Sequence, residues 1–185
     1  MANKFPRILG AWLLASVVAF GTVAAARVAR PEGAGVNFNL KTVEGGNITS
    51  EMLHGDVVVL AFGASWVPVT RAQVEGVQKL AEGFAARDVR VYWVSTDSDK
   101  PGSKNYASDD QLRSFGRRNS LKIAILRDPD GELFKTLGVE RNQLPSIVIL
   151  DKQGNVSETI GGLSSQGDLL DRLSPKLTKL LGGEQ

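Results

Sequence analysis

The spacing of apolar residues predicts alternating strands and helices along most of the chain. Residues 57–62 are continuously apolar and rich in β-branched side chains, which is typical of a strand buried on both faces. From Val74 to Phe84, apolar residues recur every three or four positions, the spacing of one helical face. Residues 89–94 repeat the strand pattern, and after a polar stretch at 98–109, Leu112 and Phe115 predict a second helix. The pattern therefore predicts two consecutive strand–helix units.

Shorter elements are predicted on either side of these units. Residues 36–48 alternate around Gly45 and Gly46 as a β-hairpin does. Residues 122–126 predict a short strand, and after the turn at 128–131 a brief helix is closed by Gly138. Pro145 opens a strand at 146–150, which the polar turn at 151–155 joins to a strand at 156–160 as an antiparallel hairpin.

The C-terminal segment predicts one more helix. We expect Pro175 to kink or split it, because proline lacks the backbone N–H that a helix interior uses. The apolar stripe of this helix is formed by Leu169, Leu173, Leu177 and Leu180.

This order of elements indicates an α/β fold with a central mixed sheet, helices on both faces and an N-terminal β-hairpin. A chain of 185 residues fits one ordinary domain. We place that domain at 36–181, followed by a tail at 182–185.

The first 26 residues have the features of an export signal. Lys4 and Arg7 form a positive start, residues 8–26 are an uncharged apolar run, and Ala24 and Ala26 fit the small-x-small pattern that precedes cleavage. The run also approaches the roughly 17–20 residues that span a bilayer, so an uncleaved anchor is the alternative. Either form places the domain, after a linker at 27–35, outside the cytoplasm, in the periplasm or another extracytoplasmic location, secreted or anchored in the cytoplasmic membrane.

Charge and composition argue against several function classes. The residues after the first 26 carry 20 basic and 20 acidic side chains, so no net field attracts nucleic acid. Arg117, Arg118 and Lys122 are interpreted as a solvated face. The glycines lack dinucleotide-binding spacing. His54, the only histidine, has no spaced ligand partners, so we expect it in a surface turn and expect neither a metal nor a cofactor.

Residues 57–73, VVVLAFGASWVPVTRAQ, resemble the strand and the F-W-A-S-W-C-P-P-C-R-x-E motif of the thioredoxin-like superfamily. The most similar group is that of the exported TlpA/ResA-type thiol:disulfide oxidoreductases, which overlaps the AhpC/TSA (redoxin) grouping. Leu144 and Pro145 before an apolar strand, the turn at 151–154 and the glycines at 161–162 match the family's cis-proline, D-x-x-G turn and following glycine. The resemblance covers residues 36–181 and implies a thioredoxin-like fold.

Both cysteine positions of that motif are changed, to Val67 and Thr70, and the sequence contains no cysteine at all. In the family, the first cysteine lies at a helix start that lowers its pKa, and the second resolves the mixed disulfide. Valine carries no nucleophile, and a threonine hydroxyl without an activating base stays protonated. These residues therefore cannot exchange disulfides through a thiolate. The motif's glutamate is also changed, to Gln73.

Three residues near the motif invite a functional interpretation. Thr70 would be a nucleophile only beside a base such as His54, and we expect it instead to cap or line the helix start. Asp97 follows a strand end, where ligand contacts cluster in open α/β sheets, but we interpret it as a turn or helix cap. Trp66 is either packed in the fold or part of a shallow apolar surface with Val67, Pro68 and Pro145.

The resemblance also implies a binding groove, because thioredoxin-like proteins bind an extended peptide between the motif and the cis-proline. The leading hypothesis is a redox-inactive protein that binds a peptide or protein partner outside the cytoplasm. Its expected contact residues are Trp66, Val67, Pro68, Thr70, Leu144 and Pro145.

Two alternatives stay open. One is the family's oxidoreductase activity, or a peroxiredoxin-like antioxidant activity, carried by a bound cofactor or by a partner's cysteines. The other is a stabilising role in cytochrome maturation or another exported assembly. We expect membrane contact only through an uncleaved N-terminal segment.

Overall fold

The computed structural model describes residues 35–68, 70–162 and 168–182. The predicted leader at 1–26 lies outside the described residues, as do the linker before Gly35 and the tail after Gly182. Within the described ranges, no helix is long and apolar enough to cross a membrane.

Seven strands form a single mixed sheet: β1 Asn39–Thr42, β2 Asn47–Thr49, β3 Val57–Gly63, β4 Val89–Ser95, β5 Ile125–Arg127, β6 Ser146–Leu150 and β7 Val156–Ile160. Their spatial order is β2-β1-β5-β4-β3-β6-β7. β3, β4 and β5 are parallel, whereas β1 pairs antiparallel with β2 and with β5, and β6 pairs antiparallel with β3 and with β7. The mixed sheet and both hairpins are therefore as predicted.

Four helices cover the sheet: α1 Thr70–Gly83, α2 Asp109–Arg118, α3 Glu132–Thr136 and α4 Leu169–Gly182. The buried apolar residues of α1, α2 and α4 belong to one core cluster, and those of α3 belong to another. Helices therefore lie on both faces, three on one and the short α3 on the other. α3 is followed by Gly138, whose φ of 74° is a conformation that favours glycine, as expected for a residue that ends a helix.

The continuous apolar run of β3 follows from its place inside the sheet. Successive side chains of a strand point to opposite faces. Val57 and Val59 accordingly join the cluster under α1 and α4, whereas Val58 and Leu60 join the cluster under α3. All seven residues of β3 are buried, so neither face tolerates a polar residue at low cost.

Pro175 was predicted to kink or split the C-terminal helix, and the split does not occur. α4 continues through Pro175 as one helix. The hydroxyl of Ser174 donates to the Leu170 carbonyl oxygen at 2.6 Å, and Leu173 and Leu177 are buried in the core. Apolar packing of this face offsets the loss of one backbone hydrogen bond.

The strand predicted at 122–126 begins later than expected, since β5 covers Ile125–Arg127. Ser120 has a positive φ of 55°, and the Lys122 N–H donates to Gln78 Oε1 on α1 at 2.7 Å. The residues before β5 are therefore a connection anchored to α1, and apolarity alone does not distinguish such a connection from a strand.

Candidate functional site

Three loops meet at one edge of the sheet, because β3, β4 and β5 are parallel and their carboxyl ends lie side by side. The loop at 64–68 follows β3, Thr96 and Asp97 follow β4, and Asp128 and Pro129 follow β5. Ligands of open α/β sheets bind at such edges. The motif that carries the family resemblance lies in the first of these loops, which we call the motif loop.

The motif loop is held by the residues that follow β4. Asp97, fully buried, accepts hydrogen bonds from the backbone N–H of Ser65 at 2.9 Å and from its hydroxyl at 2.8 Å. The hydroxyl of Ser95 donates to the same carboxylate at 2.8 Å. The N–H of Thr96 donates to the Gly63 carbonyl oxygen at 2.9 Å. Asp97 therefore anchors the motif loop, 32 positions away in the chain, whereas the cap interpretation expected a local turn or helix.

Val67 and Thr70 occupy the two positions of the missing cysteines. Val67 is half-buried, and its N–H donates to the Ala64 carbonyl oxygen at 3.1 Å, which closes a turn in the motif loop. Thr70 is the first residue of α1, and Val67 lies three residues before the helix.

Gln73, in the position of the motif's glutamate, is part of the buried frame. It is 5% exposed, and its Nε2 donates to the carbonyl oxygens of Phe62 at 3.1 Å and Ser146 at 3.2 Å. These two residues are paired neighbours on β3 and β6. An amide donates both bonds at any pH, whereas a carboxyl group donates one bond and only when protonated.

Pro145 follows a cis peptide bond and is buried, so the cis-proline that the resemblance implied is present. The strand after the β6–β7 turn supports this segment. A Cβ on Gly161 would lie 2.7 Å from the Cβ of Gln143, and the Gly162 N–H donates to the Gln143 carbonyl oxygen at 2.8 Å. The glycine at 161 therefore allows the close approach of two chain segments.

A pocket of about 330 Å³ opens between the motif loop and the segment before the cis-proline. We call it the Trp66 pocket, because the indole of Trp66 lies on it while remaining 61% exposed. Phe134 forms an apolar wall and packs edge-to-face on Phe62, with ring centroids 5.3 Å apart. The lining residues are Trp66, Thr96, Lys104, Asn105, Pro129, Gly131, Phe134 and Leu144.

Asp128 positions that wall. Its carboxylate is buried and accepts the backbone N–H groups of Leu133 at 3.2 Å and Phe134 at 2.9 Å. Burial raises the pKa of Asp128 above its ordinary value, and hydrogen bonds from the amides of Phe134 and Leu133 partly offset the effect. The start of α3 is thereby fixed against the end of β5.

Arg127 ties the loop at 98–107 to the sheet. The guanidinium is only 6% exposed, and it donates to the carbonyl oxygens of Ala107 at 2.9 Å and Asp97 at 3.4 Å and to the carboxylate of Asp109 at 2.8 Å. The loop that carries Lys104 is therefore anchored at both of its ends.

A second pocket, of about 470 Å³, lies beside the motif loop and α2. We call it the Tyr106 pocket, because Tyr106 is 37% exposed there. Its lining residues are Ser65, Tyr106, Ala107, Asp110, Gln111, Ser114, Phe115 and Arg118. Ser65 and Trp66 are consecutive, so the two pockets flank the same loop.

His54 lies away from this edge. It is exposed and precedes β3, whereas Thr70 follows β3. A seven-residue strand spans roughly 23 Å at about 3.3 Å per residue, so His54 is no base for Thr70. Within the described ranges, no group of three or more metal-ligating side chains has the arrangement of a metal site.

The structure brings together part of the predicted contact set. Trp66 and Leu144 line one pocket. Pro68, two residues after Trp66, is exposed, and Pro145, the residue after Leu144, is buried. Sequence reasoning missed Lys104, Phe134, Tyr106 and the anchoring residue Arg127. The signal that could have found them is their position after predicted strands, because the residues that follow β4 and β5 lie at the same sheet edge as the motif loop.

Known proteins similar to this chain indicate its family. Residues 33–159 match the AhpC/TSA family. The chain is 26% identical over 137 residues to the thiol-disulfide oxidoreductase ResA of Bacillus thuringiensis subsp. konkukian, covering 74% of this chain and 73% of that protein.

Two solved structures share the fold. One is Mycobacterium tuberculosis DsbF in mixed oxidised and reduced forms, at 26% identity and a TM-score of 0.60, covering 77% of this chain and 94% of the other. The second is an exposed lipoprotein thioredoxin of Streptococcus pneumoniae, at 26% identity and a TM-score of 0.57, covering 76% and 99%. The thioredoxin-like fold is thus confirmed.

Proposed function

The chain belongs to the AhpC/TSA family, and we propose that it is a redox-inactive thioredoxin-like member that binds an extended protein segment outside the cytoplasm. The binding site is the edge between the motif loop and the cis-proline. Its contact residues are Trp66, Val67, Pro68, Thr70, Leu144 and Pro145.

One observation carries this proposal: the frame of the site is complete while its nucleophiles are missing. Asp97 anchors the motif loop, Pro145 keeps the cis peptide bond, and the Trp66 pocket lies open between them. Thiol chemistry needs a cysteine, and these 185 residues contain none. Binding through backbone groups and a side-chain pocket needs no sulfur.

The extracytoplasmic location rests on two supports. The first 26 residues have a positive start, an apolar run and a small-x-small end. A relative with a similar fold is described as an exposed lipoprotein. N-terminal sequencing of the protein from its native cell envelope distinguishes a cleaved leader from a retained anchor.

Redox inactivity is tested with an insulin disulfide as substrate. We expect the purified protein, supplied with a reductant, to reduce insulin no faster than the reductant alone. Turnover above that background contradicts the proposal. A visible absorbance band, or a mixed complex with a cysteine-containing protein, would instead favour the family activity carried by a cofactor or by a partner's cysteines.

Binding at the site is tested by comparing two exposed side chains. Trp66 is 61% exposed and lies on the pocket, and Met52 is 64% exposed and lies before β3, away from the motif loop. We expect Trp66→Ala to lower the recovery of protein partners from the native envelope and Met52→Ala to leave it unchanged. A Trp66→Ala, Pro145→Ala double variant extends the test to the cis-proline. Equal recovery by wild type and Trp66→Ala contradicts binding at this edge.

A further inference from the structure

We infer that the segment bound at this site is acidic and presents one bulky apolar side chain to the Trp66 pocket. This inference rests on the proposed function, because it names the chemistry of the segment that the site would take. Two independent features of the described residues support it: the shape and lining of one pocket, and the charge around both pockets.

The apolar part of the inference comes from the Trp66 pocket. Trp66, Phe134 and Leu144 offer aromatic and aliphatic surface around a space of about 330 Å³. Phe134 is 2% exposed and its backbone is held by Asp128, so this wall is formed before any ligand binds. A preformed apolar pocket favours a bulky apolar side chain, because burying it removes apolar surface from water without ordering the protein.

The acidic part of the inference comes from three exposed cations around the motif loop. Lys104 lies on the Trp66 pocket and Arg118 on the Tyr106 pocket, and neither forms an ion pair with any residue in the described ranges. Arg71, in the first turn of α1, donates to the amide oxygen of Asn119. The first turn of α1 contains no acidic residue.

Three carboxylates in α2 and in the loop after β5 already form ion pairs. Asp109 pairs with Arg127, Asp110 with Arg113 and Asp130 with Lys100. Asp99 and Glu132 line a different groove, beside β1. Lys104 and Arg118, one on each pocket, therefore remain available to pair with ligand carboxylates.

One extended segment reaches both pockets. Ser65 lines the Tyr106 pocket, and the next residue, Trp66, lines the Trp66 pocket. Asn105 lines the Trp66 pocket, and the next residue, Tyr106, lines the Tyr106 pocket. A segment that crosses the motif loop therefore passes from one pocket to the other. Extended chains advance about 3.3 Å per residue and alternate their side chains, so acidic residues two positions before and after the apolar one share its face and meet Arg118 and Lys104.

A protein segment fits these features better than a polyanion does. The chain after its first 26 residues is neutral overall, and proteins that bind nucleic acid strongly neutralise roughly six to ten phosphates. Three cations around an apolar pocket match a few carboxylates and a hydrophobic side chain.

The test uses short synthetic Gly/Ser peptides with a central leucine. In three peptides, Asp, Lys or Ser stands two positions before and two positions after that leucine. A fourth peptide keeps the Asp residues but replaces the leucine with Ser. Binding is measured by fluorescence anisotropy and located by the NMR signal of the Trp66 indole N–H. We expect the Asp–Leu peptide to bind at least roughly tenfold more tightly than the Lys–Leu peptide, to shift the Trp66 signal, and to weaken when the leucine is replaced.

Charge reversal supplies the matched control. Lys104→Glu with Arg118→Glu should remove the preference for the Asp peptide. Arg172→Glu with Lys179→Glu, two exposed cations on α4, changes the net charge equally and should preserve it. These four side chains are exposed, so none of the variants opens the core.

Other outcomes overturn the inference. Equal binding of all three leucine peptides with a Trp66 shift overturns the acidic specificity and leaves the proposed binding site standing. Absence of binding by every peptide also overturns it, while recovery of partners with the Trp66→Ala and Met52→Ala pair still decides the proposed function. Tighter binding to phosphatidylglycerol vesicles or to single-stranded DNA, lost in the Lys104→Glu, Arg118→Glu variant, assigns the surface to those ligands instead.

Discussion

The carboxylate of Asp97 receives both hydrogen-bond donors of Ser65, the backbone N–H at 2.9 Å and the hydroxyl at 2.8 Å. Asp97 follows β4 and Ser65 follows β3, so two neighbouring parallel strands are joined at their ends. Neither side chain belongs to the reactive positions of the family motif. The shape of the motif loop therefore does not depend on the presence of cysteine.

Asp97→Asn should loosen the motif loop. Asparagine places an amide donor where Asp97 accepts hydrogen bonds, so one donor of Ser65 or Ser95 is left unsatisfied at a cost of roughly 1–3 kcal/mol. We expect a lower urea midpoint and faster hydrogen exchange at the amides of Ser65 and Trp66.

The control for this change is Asp99→Asn, two residues away. Asp99 is exposed, and exposed substitutions usually change the free energy of unfolding by less than about 0.5 kcal/mol. If both variants lost the same stability, or if exchange at Ser65 were unchanged in Asp97→Asn, the anchoring role of Asp97 would be wrong.

The main sheet could be predicted from the sequence because its central strands are buried on both faces. β3, β4 and β6 leave few positions for polar residues, and the continuous apolar runs follow from that burial. The cis-proline at Pro145 came from the family resemblance, since periodicity does not encode a peptide isomer.

The site could be predicted only in part, because it is assembled from chain segments that are far apart. Asp97 and Ser65 are separated by 32 positions, and Lys104 and Phe134 reach the same pocket from loops after different strands. Local pattern shows that Asp97 follows a strand, but pairing of β3, β4 and β5 decides which loop it contacts. Pro175 failed as a helix breaker for a related reason, since core packing by Leu173 and Leu177 outweighs local propensity.

Gln73→Glu should make the stability of the protein depend on pH. The two carbonyl oxygens that Gln73 contacts need donors, and a buried carboxyl group donates only when protonated. Burial raises its pKa above the unfolded value of about 4.3. The folded state of the variant then binds more protons, so its stability is greatest below the unfolded pKa and falls as pH rises through the folded pKa.

At neutral pH, we expect this variant to lose more than the roughly 1–3 kcal/mol that an unsatisfied neutral group costs. Urea denaturation over a pH series measures the loss. Glu75→Gln, on the exposed side of the same helix, is the control for a Gln/Glu exchange at the surface. A pH-independent difference between wild type and Gln73→Glu would contradict the buried-donor role of Gln73.

Asp128 supplies a second pH-dependent group, with the same sign. Burial raises its folded pKa above the ordinary value of 3.8, so the folded state binds more protons than the unfolded state above pH 3.8. The stabilising contribution is complete below that pH and is lost as pH rises through the folded pKa. Asp128→Asn should therefore gain stability relative to wild type as pH rises through this window.

The measurement is the difference in the free energy of unfolding between wild type and Asp128→Asn, at several pH values from 3.8 upward. Loss of one acceptor adds a constant penalty of roughly 1–3 kcal/mol, which leaves the slope unaffected. Asp130→Asn, at an exposed neighbour paired with Lys100, is the surface control measured alongside it. Parallel wild-type and Asp128→Asn curves would show that Asp128 has no raised pKa in the folded protein.

Val67→Cys with Thr70→Cys should convert the site into a working disulfide reductase. Both positions match the cysteines of the family motif, Thr70 as the first residue of α1 and Val67 three residues before it, and a helix N-terminus lowers the pKa of a nearby thiol below the free value of about 8.5. We expect a thiolate absorbance that titrates below that value, and insulin reduction above wild type when a reductant is supplied. A Val67→Ser, Thr70→Ser variant controls for polarity and should stay inactive.

A correctly folded dicysteine variant with an unshifted thiol pKa and no turnover would mean that more than these two side chains separates this chain from its catalytic relatives. Turnover would place the whole difference at those two positions, since Gln73, Asp97 and Pro145 are unchanged in the variant.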